Sequence, residues 1–281
     1  MRTVGLIGAG RWGRNLAKSF SEKTRIKSVV TSGNLENIVQ LKKIVPNIEL
    51  CSLEDMLSDD DIEAVIVAPP IEHLSNIGKL CLQRGKHIFL EKPGASGVEE
   101  IKDLVHSKGD RVCLINYLYL TDPSYVSFKT AIEKTKVSHA TFKWYKWGTF
   151  DNDILLNLAS HELSFLIDSL NNPVVRVTMG THTEKDTCLL SLKCDDTDVL
   201  IEIDRTKMAR HKLVRYETDN GCYMWVPGSC AHEDTQISSS PTHDLISIQR
   251  DIFLSHLDND DGYSNLDLAS SVLNVIQELR P

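Results

Sequence analysis

Two stretches of this chain hold residues whose types and spacing could do chemistry. Near the start, Gly8-Ala9-Gly10-Arg11-Trp12-Gly13 follows the apolar run MRTVGLI, which suits a buried parallel strand, and precedes Arg14 to Phe20, which has helical character. Strand, G-x-G-x-x-G and helix in that order is the context in which the pattern means dinucleotide binding. Gly8 would make the tight turn, Gly10 would let a pyrophosphate approach the backbone, and Gly13 would let helix and strand pack closely. The helix start adds N–H groups and a partial positive charge for the phosphates. Further on, Glu91-Lys92-Pro93 follows the strand-like run His87 to Leu90. A charged pair at the carboxyl end of a buried strand lies where open α/β sheets hold ligands, here beside a nicotinamide. Pro93 would fix the turn that aims Lys92 inward. The bland alternative is a solvated Glu–Lys pair before a helix; the glycine fingerprint and four strand–helix units ahead of it favour the site.

The elements between these stretches must position them. Ile26 to Thr31 suits the second strand, whose end faces the adenosine ribose in this architecture. Thr31-Ser32-Gly33-Asn34 offers no acid there until Glu36. That leaves room for the 2′-phosphate of NADP, which Thr31, Ser32 and Arg11 could reach, so NADP(H) is favoured over NAD(H). The same four residues also suit a helix-capping turn, compatible with either cofactor. Leu35 to Val45 is helical and Pro46 ends it, Ile48 to Cys51 is a short strand, and Ser52 with Asp55 suits a capping box. Ala64 to Ala68 (AVIVA) has the uncharged, β-branched character of a central parallel strand. Pro69-Pro70 then turns the chain outward at the ligand-bearing edge. His73 either touches the cofactor or lies in the first turn of the next helix. Ile77 to Arg84 is predicted helical with Gly85 closing it, and Val112 to Tyr117 is the last strand of a first domain spanning 1–118.

GAGRWG, VIVAPPIEH and FLEKP, in that order and spacing, resemble the Gfo/Idh/MocA oxidoreductase family. The resemblance implies an α/β protein: an N-terminal Rossmann domain, then a C-terminal α+β domain on an open, mainly antiparallel sheet. It implies NAD(P) as cofactor and a catalytic role for Lys92. It assigns 119–281 to substrate binding and oligomerisation.

In that second part, Pro123 opens a helix running to Lys134. His139 to Trp147 suits a long strand with Ala140, Phe142 and Trp144 on one face and Tyr145 and Trp147 on the other. Both faces being partly apolar implies cover by helices and by a partner subunit. Phe150 to Leu170 carries Ile154, Leu158, His161, Phe165 and Asp168 at helical spacing, and Asn157 and His161, four apart, share a helix face. A lone helical histidine is more often structural than catalytic. Here the segment resembles the N-x-L-W-D-L-x-P-H-D pattern of family members acting on nucleotide-linked amino sugars, which aligns His161 with the family's active-site histidine. Asn157 stands where that pattern has Asp. An amide can hydrogen-bond a substrate hydroxyl but cannot take its proton. Strands are predicted over Val174–Gly180, Thr187–Lys193, Val199–Asp204 and Lys212–Glu217, the last joined through Asn220-Gly221 to Cys222–Val226 as a hairpin. Ser238 to Thr242 suits a loop, and helices are predicted over Asp244–Leu257 and Ser264–Leu279.

Bulk properties bound the function. With 281 residues, 41% of them hydrophobic and 25% charged, the chain has the composition of a globular protein of two domains. A net charge of −8 argues against nucleic acid or an anionic membrane as partner. No apolar run has spanning length, and the first strand begins too early to leave room for a signal peptide. The seven cysteines are scattered without a C-x-x-C pair, which fits reduced thiols in a cytoplasm, and no metal site is expected. The leading expectation is an oxidoreductase moving a hydride between nicotinamide and a sugar-like alcohol or ketone. His161 would exchange the proton, Lys92 would stabilise charge on the substrate oxygen and Asn157 would orient the substrate, at a cleft between domains. The alternatives are a catalytically silent dinucleotide-binding sensor and a reductase of a C=N or C=C substrate. By resemblance, the chain is expected to be a homodimer or homotetramer.

Overall fold

The computed structural model describes residues 1–239 and 244–280. The chain divides into two compact units, one built from Met1–Asn116 with Ile246–Ser270 and one from Tyr117–Leu245 with the residues from Ser271 on.

Unit 1 is built on the strands β1 (Thr3–Ile7), β2 (Arg25–Val30), β3 (Glu49–Leu50), β4 (Ala64–Val67), β5 (His87–Glu91) and β6 (Cys113–Asn116). They pair all-parallel in the order β3-β2-β1-β4-β5-β6. That order reverses between β1 and β4, which makes the sheet doubly wound with a ligand crevice at the reversal. The uncharged runs predicted as strands are uncharged because β4 and β5 are buried along their whole length. Helices α1 (Arg11–Phe20), α2 (Leu35–Ile44), α3 (Leu53–Ser58), α4 (Ile71–Gln83) and α5 (Val98–Lys108) connect them. The capping box of α3 forms as read: the Ser52 side chain accepts from the Asp55 N–H and the Asp55 carboxylate accepts from the Ser52 N–H. Helix α4 starts at Ile71, not Ile77, because Pro70 takes the N-cap position. The double proline turns the chain outward by starting a helix. Helix α5 is a further element, burying Val98, Ile101 and Leu104.

Unit 2 begins with a 3-10 turn over Leu118–Thr121 and α6 (Pro123–Ile132), whose N-cap Asp122 accepts from the Ser124 N–H. Strand β7 (Val137–Tyr145) leads to a π-helical turn over Leu155–Ala159 and α7 (Ser160–Ser169). The strands β8 (Val175–Val177), β9 (His182–Thr183), β10 (Thr187–Cys194), β11 (Thr197–Asp204), β12 (His211–Thr218), β13 (Gly221–Val226), β14 (Ser229–His232) and β15 (Thr235–Ser239) complete a sheet ordered β15-β14-β13-β12-β7-β11-β10-β8, with β9 on β10. It is antiparallel except where β7 pairs with β11. The expected fold class is therefore observed: a Rossmann-type parallel sheet and a mainly antiparallel second sheet.

Ala140, Phe142 and Trp144 point to the buried face of that second sheet, where Phe128 and Phe165 from the helices meet Phe142 and Tyr216. Trp147 lies beyond the end of β7 and is 56% exposed, so it does not share a strand face with Tyr145. Ser238 and Ser239 belong to β15 and not to a loop; residues 240–242 of that predicted loop lie outside the described residues.

The chain then returns to unit 1 through α8 (Leu245–Asn259) before α9 (Leu266–Glu278), which straddles the division. Phe253 enters the core of unit 1 with its ring centre 5.6 Å from Phe89 and 6.2 Å from Phe20. Arg250 donates to the Ser19 carbonyl and to Glu22. Phe253→Ala is expected to destabilise unit 1 by about 3–5 kcal/mol, the cost of a buried aromatic lost to a cavity, read as a lower urea midpoint.

His87 ties β5 to the start of β6, since the Val112 N–H donates to its Nδ1 at 2.9 Å. That bond needs an unprotonated Nδ1, and burial pulls the imidazole pKa below its ordinary 6.5. The unfolded imidazole takes a proton as pH falls through about 6.5, while the folded one takes it only at lower pH. This part of the stability is present above that pH and lost as pH falls below it. His87→Gln should flatten the dependence of the urea midpoint on pH between pH 7.5 and 5.

Candidate active site

In unit 1 the glycine loop is wedged between the end of β4 and the start of α1. Gly8 has φ +97°, and a Cβ there would lie 2.4 Å from the Ala68 carbonyl oxygen and 3.0 Å from the Pro69 nitrogen. A Cβ on Gly13 would lie 1.9 Å from the Gly8 carbonyl oxygen. Both contacts are closer than any side chain permits. Gly10 differs: nothing lies within 4 Å of the position of its Cβ. It is the N-cap of α1, makes no side-chain cap and is followed by no acid in the first turn. A loop packed tight at its two ends and open in the middle, over a helix N-terminus, fits the pyrophosphate of a dinucleotide.

Arg11 and Trp12 are exposed in the first turn of α1. Arg14, one turn on, donates to the Ala9 carbonyl and to Asn37 Oδ1, joining the glycine loop to the first turn of α2. Arg14 stands directly after the third glycine and was not singled out from the sequence. Thr31 is half-buried and Ser32 exposed, and Asn34 caps α2 by accepting from the Asn37 N–H at 3.0 Å. The capping turn is thus present and leaves the choice of cofactor open. Pro69 lies against Gly8, Pro70 caps α4, and His73 is exposed in the first turn of α4.

Glu91 and Lys92, at the carboxyl end of β5, are 7% and 8% exposed, so they are not a solvated pair. Glu91 Oε1 accepts from the side-chain amide of Asn116, its β6 partner, at 2.7 Å. Burial pushes the Glu91 carboxyl above its usual range, against the opposing pull of Asn116 and Lys92. The Lys92–Pro93 peptide is cis. Asn116 is a second residue not singled out from the sequence.

In unit 2, every residue from Ile154 to Ile167 is buried except Asn157 and His161, which are half-exposed. The π turn carries the first and the start of α7 the second. The turn is held from below, where the Leu156 N–H donates to Asp153 Oδ1 and the Asn157 N–H to the Asp153 carbonyl, both at 2.9 Å. The preceding loop is clamped by the buried Arg205, whose guanidinium donates to the carbonyls of Thr149, Phe150, Asn152 and Lys185 and to Asp186. An open pocket of about 440 Å³ beside Arg205 includes neither Asn157 nor His161. The His161 ring meets Tyr119 and Trp144 edge-on at 5.5 and 5.4 Å. Its neighbour Glu162 is buried and accepts from Lys212.

Burial pushes the thiols of Cys81, Cys113, Cys188 and Cys194 up to about 12, which keeps them from acting as nucleophiles near neutral pH. Among the described residues no group of three His, Cys, Asp or Glu could hold a metal ion, and no helix is long and apolar enough to cross a membrane.

Residues 2–117 match the family model for GFO_IDH_MocA, the oxidoreductase family with an NAD-binding Rossmann fold. An inositol 2-dehydrogenase of Saccharopolyspora erythraea is 25% identical over 158 residues, covering 52% of this chain and 46% of that protein. The chain thus matches under half the length of that relative. Two solved structures share the whole fold. A UDP-N-acetylglucosamine 3-dehydrogenase of Acidithiobacillus ferrooxidans superposes with TM-score 0.82 at 17% identity, covering 99% of this chain and 96% of that one. A biliverdin reductase of Synechocystis, bound to biliverdin and NADP+, superposes with TM-score 0.80 at 16% identity, covering 98% and 96%.

The two glycines separate cofactor binding from folding. Gly10→Ala should leave the thermal midpoint unchanged and weaken NAD(P)H binding at least about tenfold by blocking the approach to the backbone. Gly13→Ala should lower the midpoint itself, because α1 cannot keep its place on β1. Fluorescence titration and thermal melts of both variants check this.

Proposed function

We propose that the chain is an NAD(P)-dependent oxidoreductase that interconverts an alcohol and a ketone on a sugar-like substrate, with nucleotide sugars among the candidates. The observation that carries this is the buried Lys92 at the carboxyl edge of a sheet whose glycine loop fits a dinucleotide. The carboxyl edge of a doubly wound sheet is where ligands bind, so an amine held there would meet a substrate oxygen beside the nicotinamide. Lys92 would donate a hydrogen bond to that oxygen and stabilise negative charge developing on it. His161 would exchange the proton, since imidazole titrates near neutral pH. Asn157 would bond a neighbouring hydroxyl without taking its proton.

Gly8, Gly10, Arg11, Trp12, Gly13, Thr31, Ser32, Pro69, Pro70, His73 and Glu91 would hold the cofactor. When bound, it supplies or accepts the hydride. The lack of an acid from Thr31 to Asn34, and Arg14 reaching toward the start of α2, support NADP(H) over NAD(H). Exposed apolar side chains on the second sheet, among them Leu189, Leu200 and Val226, suit cover by a second copy in a dimer or tetramer. Seven free cysteines support a reducing, cytoplasmic setting.

A second reading, a dinucleotide-binding protein without turnover, is favoured by Asn157 standing where the family pattern has an acid. A third, reduction of a C=N or C=C bond, draws on the fold shared with a biliverdin reductase. A screen of polyols, ketosugars, nucleotide sugars and linear tetrapyrroles with each cofactor, followed at the nicotinamide absorbance, decides among them. Lys92→Met and His161→Ala should each lower kcat/KM on a turned-over sugar by about 10²–10⁴-fold, with cofactor affinity nearly unchanged. Tight NAD(P)H binding with no turnover of any substrate would select the silent reading.

A further inference from the structure

The helix that presents His161 buries a carboxylate one residue on. Glu162 is 1% exposed and accepts from Lys212 Nζ on β12, whose side chain is 2% exposed. Lys212 lies directly across from Trp144 in the β7–β12 ladder. Its ammonium is 3.8 Å from the centre of the Trp144 ring and 4.5 Å from that of Tyr119. These are the two rings that meet His161 edge-on, at 5.4 and 5.5 Å, and they meet each other at 6.1 Å. One cation therefore grips both walls that hold the imidazole. A desolvated ammonium is drawn to the faces of Trp and Tyr, and neither face can turn away without losing it.

Neither charge is stable there alone. Burial pushes the Glu162 carboxyl above its usual range and pulls the Lys212 ammonium below its own, and each partner opposes that shift in the other. Lys146 and Arg210 also act on Lys212, as cations that add to this pull. Asp122, the other acid near Tyr119, has its carboxylate taken up by Ser124 and by the Gly228 N–H.

We propose that Glu162 and Lys212 are positioning residues for His161: the ion pair fixes Tyr119 and Trp144, and through them the direction of the imidazole. This rests on His161 being the proton-exchanging group, but its placement can be measured without turnover. The full chain, labelled with carbon-13 and nitrogen-15 histidine, gives ring resonances that a His161→Gln spectrum assigns. The variants are Glu162→Gln, Lys212→Met and the two together. The double variant replaces the pair with neutral groups of similar volume, so it keeps the test open if a single variant with a lone buried charge fails to fold.

In each variant that melts cooperatively, the His161 ring signals should shift or broaden while those of His87 stay in place. On a turned-over substrate, kcat should fall at least about tenfold with the Kd for NAD(P)H unchanged, since a small misplacement of a reacting group is costly. The double variant should be no worse than the singles, because the pair acts as one unit. Unchanged His161 signals in the folded double variant would overturn the inference. If the wild-type chain turned over nothing, the proposed activity would fail while the ring signals still decided the positioning.

Discussion

The α-carbon of Gly13 approaches the Gly8 carbonyl so closely that no side chain fits between them, and much of unit 1 follows from that contact. It sets α1 hard against β1. It also points the helix N-terminus at the crevice where the strand order reverses between β1 and β4. With Gly8 pressed on the Ala68 carbonyl, the loop cannot swing away from the end of β4. What is left open is the space at Gly10, and an open backbone at a helix N-terminus has the electrostatics that suit a phosphate. The apolar strands and the aromatic cluster of Phe20, Phe89 and Phe253 supply the stability that holds this crowded loop in place.

Each unit also buries charge, and burial of charge is costly unless it is paired. In unit 1 Glu91 and Lys92 are both buried at the carboxyl end of β5, and Asn116 bonds the carboxylate. In unit 2 Glu162 and Lys212 lie inside the aromatic wall beside His161. Hydrophobic side chains at these positions would be cheaper for folding alone. Charged groups retained against that cost, next to the residues best suited to chemistry, are what an active site needs: groups whose protonation and direction the surroundings decide.

The parts of this structure written in local pattern were legible in the sequence. The glycine fingerprint sits at fixed offsets from a strand and a helix. The uncharged AVIVA run has the composition of a strand covered on both faces, and the expected hairpin of β12 and β13 forms, although its turn residues are Asp219 and Asn220 while Gly221, at φ +100°, opens β13. The features missed depend on contacts between distant residues or on short, irregular elements. Phe253 returns to a core whose other rings come from α1 and β5, and nothing near residue 253 announces it. A lysine in an alternating strand looks solvent-facing, yet Lys212 points inward because Glu162 and two rings await it. The π turn at Leu155–Ala159 differs from an α-helix by one residue in its hydrogen-bond spacing, too little to show in hydrophobic periodicity. Strands β14 and β15 are short and polar, without a clean apolar alternation, and Pro69-Pro70 looked like a strand stop when it is also a helix start.

Lys92 and His161 are proposed to act on the same substrate oxygen, one by donating a hydrogen bond and the other by exchanging a proton. A crystal structure of the chain with its nicotinamide cofactor and a substrate or product bound measures this directly. The account predicts Lys92 Nζ and one His161 ring nitrogen each within hydrogen-bonding distance of one substrate oxygen, with the carbon bearing it about 3.5 Å from the nicotinamide. A ternary complex in which either side chain lies beyond hydrogen-bonding reach of that oxygen would contradict it.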